Sequence, residues 1–189
     1  MDPLEALDRA AAAYEQRLLA VRPDQWSLPT PCASWTVKDL ADHVVGGNRF
    51  SPTLLAGGTA AEALGIARGG DFSGDPVESY RDSLVTQRAA FAAPGALKVS
   101  VAHPMGEVSG RRFAGMRTFD LVVHAWDLAR ATGGDEDLPA DLVDDLLAQL
   151  EPAAAFMARS GTFGQGASAD LPDDATAQHR LLDLTGRRP

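Results

Sequence analysis

Cysteine is almost absent from this sequence, and so are long apolar runs and any excess of basic residues. The single cysteine, Cys32, cannot form a disulfide within the chain or supply a cysteine cluster for a metal. Lys and Arg number 17 against 26 Asp and Glu, a net charge of −9, which argues against a nucleic-acid partner. No run of residues is apolar enough to span a bilayer, and the first residues lack a signal-peptide pattern. We therefore expect a cytoplasmic protein that binds neither membranes nor nucleic acid.

Apolar residues make up 45% of the chain, which is enough to form a core. The length of 189 residues predicts one domain over 1–189. We expect the protein to be a monomer or a homodimer. Asp2-Pro3 and Asp75-Pro76 are typical helix starts, and Thr36 with Asp39 forms a capping-box pattern. With the spacing of the apolar residues, these starts predict four principal helices, which cover about 3–22, 37–56, 76–93 and 112–132.

The remaining segments carry separate predictions. Alternation over 97–101 predicts a strand that turns at 104–106 into a second one, a small hairpin between the third and fourth helices. The glycine-rich stretch 57–74 is interpreted as a mobile connection, and 160–174 as loose. A fifth helix over 138–157, kinked at Pro152, and a short final helix near Leu181 are predicted after the bundle.

The fourth helix carries three polar residues on an otherwise apolar segment. Asp120, His124 and Asp127 follow one another at four and then three residues, so their side chains share one face. An aspartate and a histidine four apart can bind one metal together, which makes this face a candidate metal site. The alternative is a solvated face on which Asp127 forms a surface ion pair with Arg130. A third ligand from another helix would favour the metal, and His43 on the second helix is a candidate.

Two motifs resemble those of a known family. Residues 29–46, PTPCASWTVKDLADHVVG, resemble the N-terminal signature of the mycothiol-dependent maleylpyruvate isomerase family, and residues 123–129, VHAWDLA, resemble its second signature. The order of the motifs, the hairpin between them and the C-terminal tail also fit, so the resemblance covers nearly the whole chain. It implies a mainly α, DinB/YfiT-like four-helix bundle with a small β-hairpin between helices 3 and 4 and extra C-terminal helices.

The resemblance also implies a set of metal ligands. Motif by motif, the family's ligands fall on His43, Asp120 and His124, with Asp120 standing where the family commonly has glutamate. Two imidazoles and one carboxylate leave a coordination position open, as in catalytic sites. Zinc is the first expectation, with iron and nickel as alternatives. A fourth protein ligand from Asp39, Asp127 or His103 remains an alternative, because tetrahedral zinc needs one more donor.

The implied function is a metal- and thiol-dependent transferase or isomerase acting on a small electrophile, with mycothiol or a similar low-molecular-weight thiol as cosubstrate. Asp127 is then expected to orient a ligand histidine. Alternatives are a non-catalytic metal-binding or regulatory bundle protein and a metal-assisted hydrolase. No catalytic residue is assigned. Cys32 is interpreted as a small buried residue, because no sequence neighbour supplies a base. A catalytic site requires a pocket beside His43 and His124, walled partly by 57–74.

Overall fold

Four long helices form the first of two compact units, Met1–Asp135, in a computed structural model that describes residues 1–69, 74–154, 166–168 and 170–189. They are α1 (Pro3–Leu19), α2 (Val37–Leu55), α4 (Pro76–Ala92) and α5 (Gly110–Thr132). Helix α1 packs on α5 and α2 packs on α4, which makes a four-helix bundle with a core of leucine, valine, alanine and aromatic side chains. The predicted mainly helical fold is therefore confirmed.

The helix starts follow the predicted capping chemistry. The Asp2 carboxylate accepts hydrogen bonds from the first-turn amides of α1, and Asp75 does the same for α4. At the start of α2, Thr36 and Asp39 form a reciprocal capping box. Ser109 caps the start of α5, where its side chain accepts a hydrogen bond from the Arg112 amide. Gly133, in the left-handed conformation with φ of 69°, caps the end of α5. Local sequence thus determines where α2 and α5 begin.

The expectation of a mobile connection over 57–74 is wrong for its described part. Helix α3 (Ala60–Gly69) lies there and packs on α2. Thr59 and Glu62 form a capping box at its start, and alanine, the best helix former, recurs through it. Gly46 on α2 makes the packing possible, because a Cβ there would lie 2.8 Å from the carbonyl oxygen of Ala67. Residues 70–73 fall outside the described part of the chain.

A two-stranded antiparallel hairpin connects α4 to α5, as predicted. Strand β1 (Ser100–His103) pairs with β2 (Gly106–Ser109), with Val101 opposite Val108. The first strand begins three residues later than expected. Gly95, with φ of 84°, precedes a 3-10 turn over Ala96–Lys98. This turn occupies the first residues of the segment in which the alternation of apolar and polar residues predicted a strand.

The second compact unit is Glu136–Pro189. It contains α6 (Ala140–Leu150), a 3-10 turn over Glu151–Ala153 that includes Pro152, and α7 (Ala177–Leu184), which packs on α6. These are the extra C-terminal helices of the prediction. Residues 155–157 of the predicted 138–157 helix, and residues 160–165 and 169 of the segment expected to be loose, lie outside the described residues. Among the helices that the structure does describe, none combines the length and apolarity needed to cross a membrane.

Candidate metal centre

The three predicted ligands come together on one side of the bundle. Helix α5 presents Asp120 and His124 one turn apart, and α2 presents His43 to them. Asp120 Oδ1 lies 3.3 Å from His43 Nε2 and 3.4 Å from His124 Nε2. The two imidazole rings stand edge to face, with centroids 5.0 Å apart. One oxygen of Asp120 is therefore shared between both histidines.

The spacing of these donor atoms fits a small divalent ion. Two donors that each lie about 2.0–2.1 Å from zinc, at a tetrahedral angle, are about 3.3–3.4 Å apart. The two nitrogen-to-oxygen distances have this value, and all three donor atoms lie within 4.8 Å of one another. The donor set of two imidazoles and one carboxylate also suits zinc, iron or nickel. The shorter aspartate is thus long enough to reach the position at which both histidines point.

One side of the cluster faces solvent. The His43 side chain is 39% exposed and that of Asp120 is 23% exposed, whereas His124 is 8% exposed. Trp35, from the loop over 29–36, stacks beside them, with its ring 4.7 Å from His43 and 6.0 Å from His124 between centroids. The cluster therefore has a buried end at His124, an aromatic wall at Trp35 and an open end at His43.

Arg117, a residue that the sequence reading did not single out, holds the second oxygen of Asp120. Its Nη1 donates to Asp120 Oδ2 at 2.7 Å, and other guanidinium nitrogens donate to the side-chain oxygens of Gln87 and Asn48, each at 3.0 Å. Arg117 is only 5% exposed. The sequence feature that could have identified Arg117 is its position three residues before Asp120, because side chains three apart on a helix are neighbours and can form an ion pair.

The charges around Asp120 keep it ionised. Burial disfavours the carboxylate, but Arg117 and then the two histidines outweigh it and hold the pKa of Asp120 well below its usual range. The carboxylate is thus available as a ligand without the loss of a proton. Because Arg117 occupies Oδ2, Oδ1 is the atom left to face the histidines.

Gly47 provides the space that Arg117 occupies, and its replacement by alanine is expected to destabilise the protein. A Cβ at position 47 would overlap with the Arg117 guanidinium, which is buried and held by several acceptors. Overpacking of this kind costs about 1–3 kcal/mol, more than alanine gains over glycine in a helix. Urea denaturation measures the change in the free energy of unfolding.

Gly65→Ala is the matched control for this glycine test. Gly65 also lies inside a helix, α3, but no atom of the described residues is within 4 Å of a Cβ built there. This substitution is expected to stabilise the protein by about 0.5–1 kcal/mol, because alanine loses less backbone entropy on folding. A stabilising Gly47→Ala would contradict the tight placement of Arg117.

The other ring nitrogen of His124 faces a second set of polar atoms. His124 Nδ1 lies 2.9 Å from Asp127 Oδ2, and Cys32 Sγ donates to the same oxygen at 3.2 Å. Asp127 is completely buried. No sequence neighbour of Cys32 supplies a base, but α5 brings Asp127 and His124 to it across 92 or more positions of the sequence. The interpretation of Cys32 as a small buried residue is wrong, because its side chain is only partly buried. The cysteine connects the 29–36 loop to α5.

The alternative reading of Asp127 and Arg130 as a surface pair does not fit their surroundings. Asp127 is buried against His124, while the Arg130 guanidinium lies over the Trp126 ring, 4.7 Å from its centroid. This arrangement places a carboxylate on the nitrogen of His124 opposite the one that faces Asp120. Such a carboxylate is the usual partner of a metal-binding histidine.

None of the suggested fourth ligands joins the three donors within the described residues. Asp39 is occupied in the capping box of α2. His103 lies on β1 between the rings of Phe50 and Phe113, and burial lowers its pKa, with a further contribution from Arg117. Asp127 meets the opposite nitrogen of His124. The three-ligand arrangement is the one that the geometry supports.

A cleft of about 440 Å³ lies beside the hairpin rather than around the three ligands. Its walls are Ala60, Ser100, Ala102, His103, Gly106 and Glu107. Of the segment 57–74, which was expected to wall the pocket, only Ala60 lines this cleft. His43 and His124, beside which the pocket was expected, are not among its lining residues. The open end of the cluster is defined instead by the exposed edge of His43 and by Trp35.

The metal-free protein is expected to lose stability as the pH rises above about 6.5. Burial disfavours the imidazolium of His124, but the charge of Asp120 and hydrogen bonds to Asp120, Asp127 and Cys32 outweigh burial and raise the pKa of His124 well above the ordinary histidine value of about 6.5. A raised folded-state pKa gives stability that is complete below the unfolded pKa and is lost as the pH rises through the folded one. Urea unfolding in chelator from about pH 6 to about pH 9 measures this. His124→Gln should flatten the profile, and an equal slope in both proteins would contradict the prediction.

The sequence and the fold are both similar to those of known proteins. Residues 7–129 match the family model of the mycothiol maleylpyruvate isomerase N-terminal domain. Two uncharacterised proteins from two strains of Mycobacterium tuberculosis are 41% identical over 152 residues, covering 78% of this chain and 77% of their own. Crystal structures of mycothiol-dependent maleylpyruvate isomerase and of a histidine-to-alanine mutant have TM-scores of 0.63 and 0.64 at 18% identity. They cover 85% and 88% of this chain and 70% and 72% of their own, and they show the shared fold.

Proposed function

The chain belongs to the family of the mycothiol maleylpyruvate isomerase N-terminal domain, and on this premise we propose that it is a metal- and thiol-dependent transferase or isomerase acting on a small electrophile. One observation carries the proposal. His43, Asp120 and His124 bring their donor atoms within 4.8 Å of one another at an edge of the bundle that is open to solvent. Three ligands with an open side are typical of a catalytic rather than a structural metal site.

The resident ion is proposed to be zinc, with iron or nickel as alternatives. His43 and His124 would hold it through Nε2 and Asp120 through Oδ1. When bound, a divalent metal supplies a Lewis acid that favours the thiolate form of a low-molecular-weight thiol such as mycothiol. The solved structures that share this fold include a mycothiol-dependent enzyme, which supports this choice of cosubstrate.

The residues around the ligands have separate tasks in this proposal. Arg117 fixes Asp120 Oδ2, so Oδ1 stays directed at the histidines. Asp127 accepts from Nδ1 of His124 and so leaves Nε2 as the lone-pair nitrogen. Trp35 shields the two imidazoles from water on one side, and the exposed edge of His43 is where a thiol and an electrophile would enter. No side chain is assigned as a proton donor to the substrate.

The test mixes zinc-loaded protein with mycothiol and a panel of small electrophiles, and follows thiol consumption and product formation. The expected result is a rate that needs both protein and thiol and that falls to the protein-free rate in His43→Ala. His179→Ala, an exposed histidine on α7, should retain the full rate. Equal background rates in the parent and in His43→Ala would exclude the enzyme and favour a non-catalytic metal-binding protein. Turnover without thiol would favour a metal-assisted hydrolase.

A further inference from the structure

Cys32 donates to Asp127 in a contact to which the proposed function above assigns no role. Asp127 is buried completely, and a buried carboxylate is costly unless it receives hydrogen bonds. Two of its donors meet at a single oxygen, Oδ2, which lies 2.9 Å from His124 Nδ1 and 3.2 Å from Cys32 Sγ. The thiol and the imidazole therefore act together on one atom.

The position of that oxygen determines how His124 presents its other nitrogen. A carboxylate at Nδ1 keeps the proton on that atom and fixes the rotation of the ring, so that Nε2 points at Asp120 Oδ1, 3.4 Å away. The Cys32 S–H group, which comes from the 29–36 loop, donates to the same oxygen and so holds Oδ2 in place beside the ring.

The loop that carries Cys32 is itself closed by hydrogen bonds. The Thr30 amide donates to the Trp35 carbonyl at 3.0 Å, and the Cys32 amide donates to Thr30 Oγ1 at 3.2 Å. Pro29 and Thr36 pair across its base as an isolated bridge. The sulfur is thus delivered to Asp127 by an ordered loop, whose Trp35 also packs against His43.

We propose that Cys32 is a positioning residue for the metal centre, which acts through Asp127 to hold His124 in the orientation and tautomer that bind the ion. This inference rests on the proposed metal site. It assigns the thiol a role as a hydrogen-bond donor, so serine should replace it and alanine should not. It also requires that Cys32 has no effect on metal affinity once Asp127 can no longer hold the ring.

The experiment measures zinc dissociation constants by competition with a chromophoric chelator. Cys32→Ala is expected to weaken zinc binding about tenfold, the lower end of the range for residues that orient metal ligands. Cys32→Ser should stay within about twofold of the parent, because it keeps a donor at the same position. If Cys32→Ala does not fold, Cys32→Val takes its place, since it fills the volume of the sulfur without a donor.

Two controls separate positioning from a general effect on the loop. Ser34→Ala changes an exposed residue of the same loop, two positions from Cys32, and should leave zinc affinity within about twofold of the parent. In an Asp127→Leu background, which has no oxygen to accept from the thiol or the ring, Cys32→Ala should add less than about twofold, because two residues that act through each other are not additive. A tenfold loss in Ser34→Ala, or the full loss in the Asp127→Leu background, would overturn the proposal.

A spectroscopic readout follows the ring directly. The chain has four histidines, so nitrogen-15 spectra of the zinc-loaded protein can be assigned by single substitutions. The protonated Nδ1 signal of His124 should change in Cys32→Ala and be retained in Cys32→Ser. Unchanged affinity and an unchanged His124 signal in Cys32→Ala would overturn the inference while leaving the metal site intact. Absence of zinc binding by the parent protein would overturn the proposed function, and this inference with it.

Discussion

His124→Ala is expected to abolish stoichiometric zinc binding. His124 contributes one of three donors, and its replacement leaves His43 and Asp120 at a solvent-exposed edge with water in the remaining positions. Loss of a residue that only orients a ligand already costs about 10–100-fold in affinity, so loss of a ligand should cost more than about 100-fold. Inductively coupled plasma measurement of the metal retained after dialysis, compared with the parent protein, checks the result.

A second substitution identifies which side of His124 binds the ion. Cys32, His124 and Asp127 also bring potential donor atoms within 4.8 Å, and His124→Ala removes both groups at once. His43→Ala removes only the group that contains Asp120, and it too should abolish binding. His179→Ala, an exposed histidine of the second unit, should bind one equivalent like the parent. Full occupancy in His43→Ala would move the ion to the cysteine side and contradict the proposed ligand set.

The sequence was informative where local patterns determine the structure. Asp2, Asp75 and the Thr36–Asp39 pair sit at helix starts because capping depends on neighbours in the chain. The four-residue spacing of Asp120 and His124 likewise placed both on one face of α5. The mainly helical four-helix bundle and its hairpin are confirmed, and the three predicted ligands converge. Their role as metal ligands remains a prediction.

The misread segments depend on contacts between distant parts of the chain. Helix α3 was taken for a mobile connection because its flanking glycines outweighed the alanines, and the space left by Gly46 for α3 is a tertiary feature. Cys32 lies 95 residues from Asp127, so no window around either one reveals their contact. Arg117 was missed for the same reason. Its acceptors Gln87 and Asn48 come from α4 and α2, and only the assembled bundle turns a basic residue into a buried one.

Arg117→Met is expected to cost about 3–5 kcal/mol in the free energy of unfolding, the range for removing one partner of a buried ion pair. Methionine fills much of the same volume, so the loss reports the missing charge and donors rather than a cavity. Asp120 loses its shortest hydrogen bond, while the side-chain oxygens of Asn48 and Gln87, both fully buried, each lose a donor. Urea denaturation in the presence of chelator measures this cost without any contribution from a bound ion.

Arg81→Met makes the same exchange at an exposed ion pair and is the matched control. Arg81 Nε lies 2.6 Å from Glu15 Oε1, a distance as short as that between Arg117 and Asp120, but its side chain is 54% exposed. Exposed pairs contribute about 0–1 kcal/mol, because water and salt screen the charges and solvate whichever partner remains. The two ion pairs are thus similar in length, and the arginines differ in burial and in the further buried acceptors, Gln87 and Asn48, that Arg117 holds. A loss below about 1 kcal/mol in both proteins would mean that Arg117 is not needed to hold Asp120, and the proposed fixing of Oδ1 would have to be abandoned.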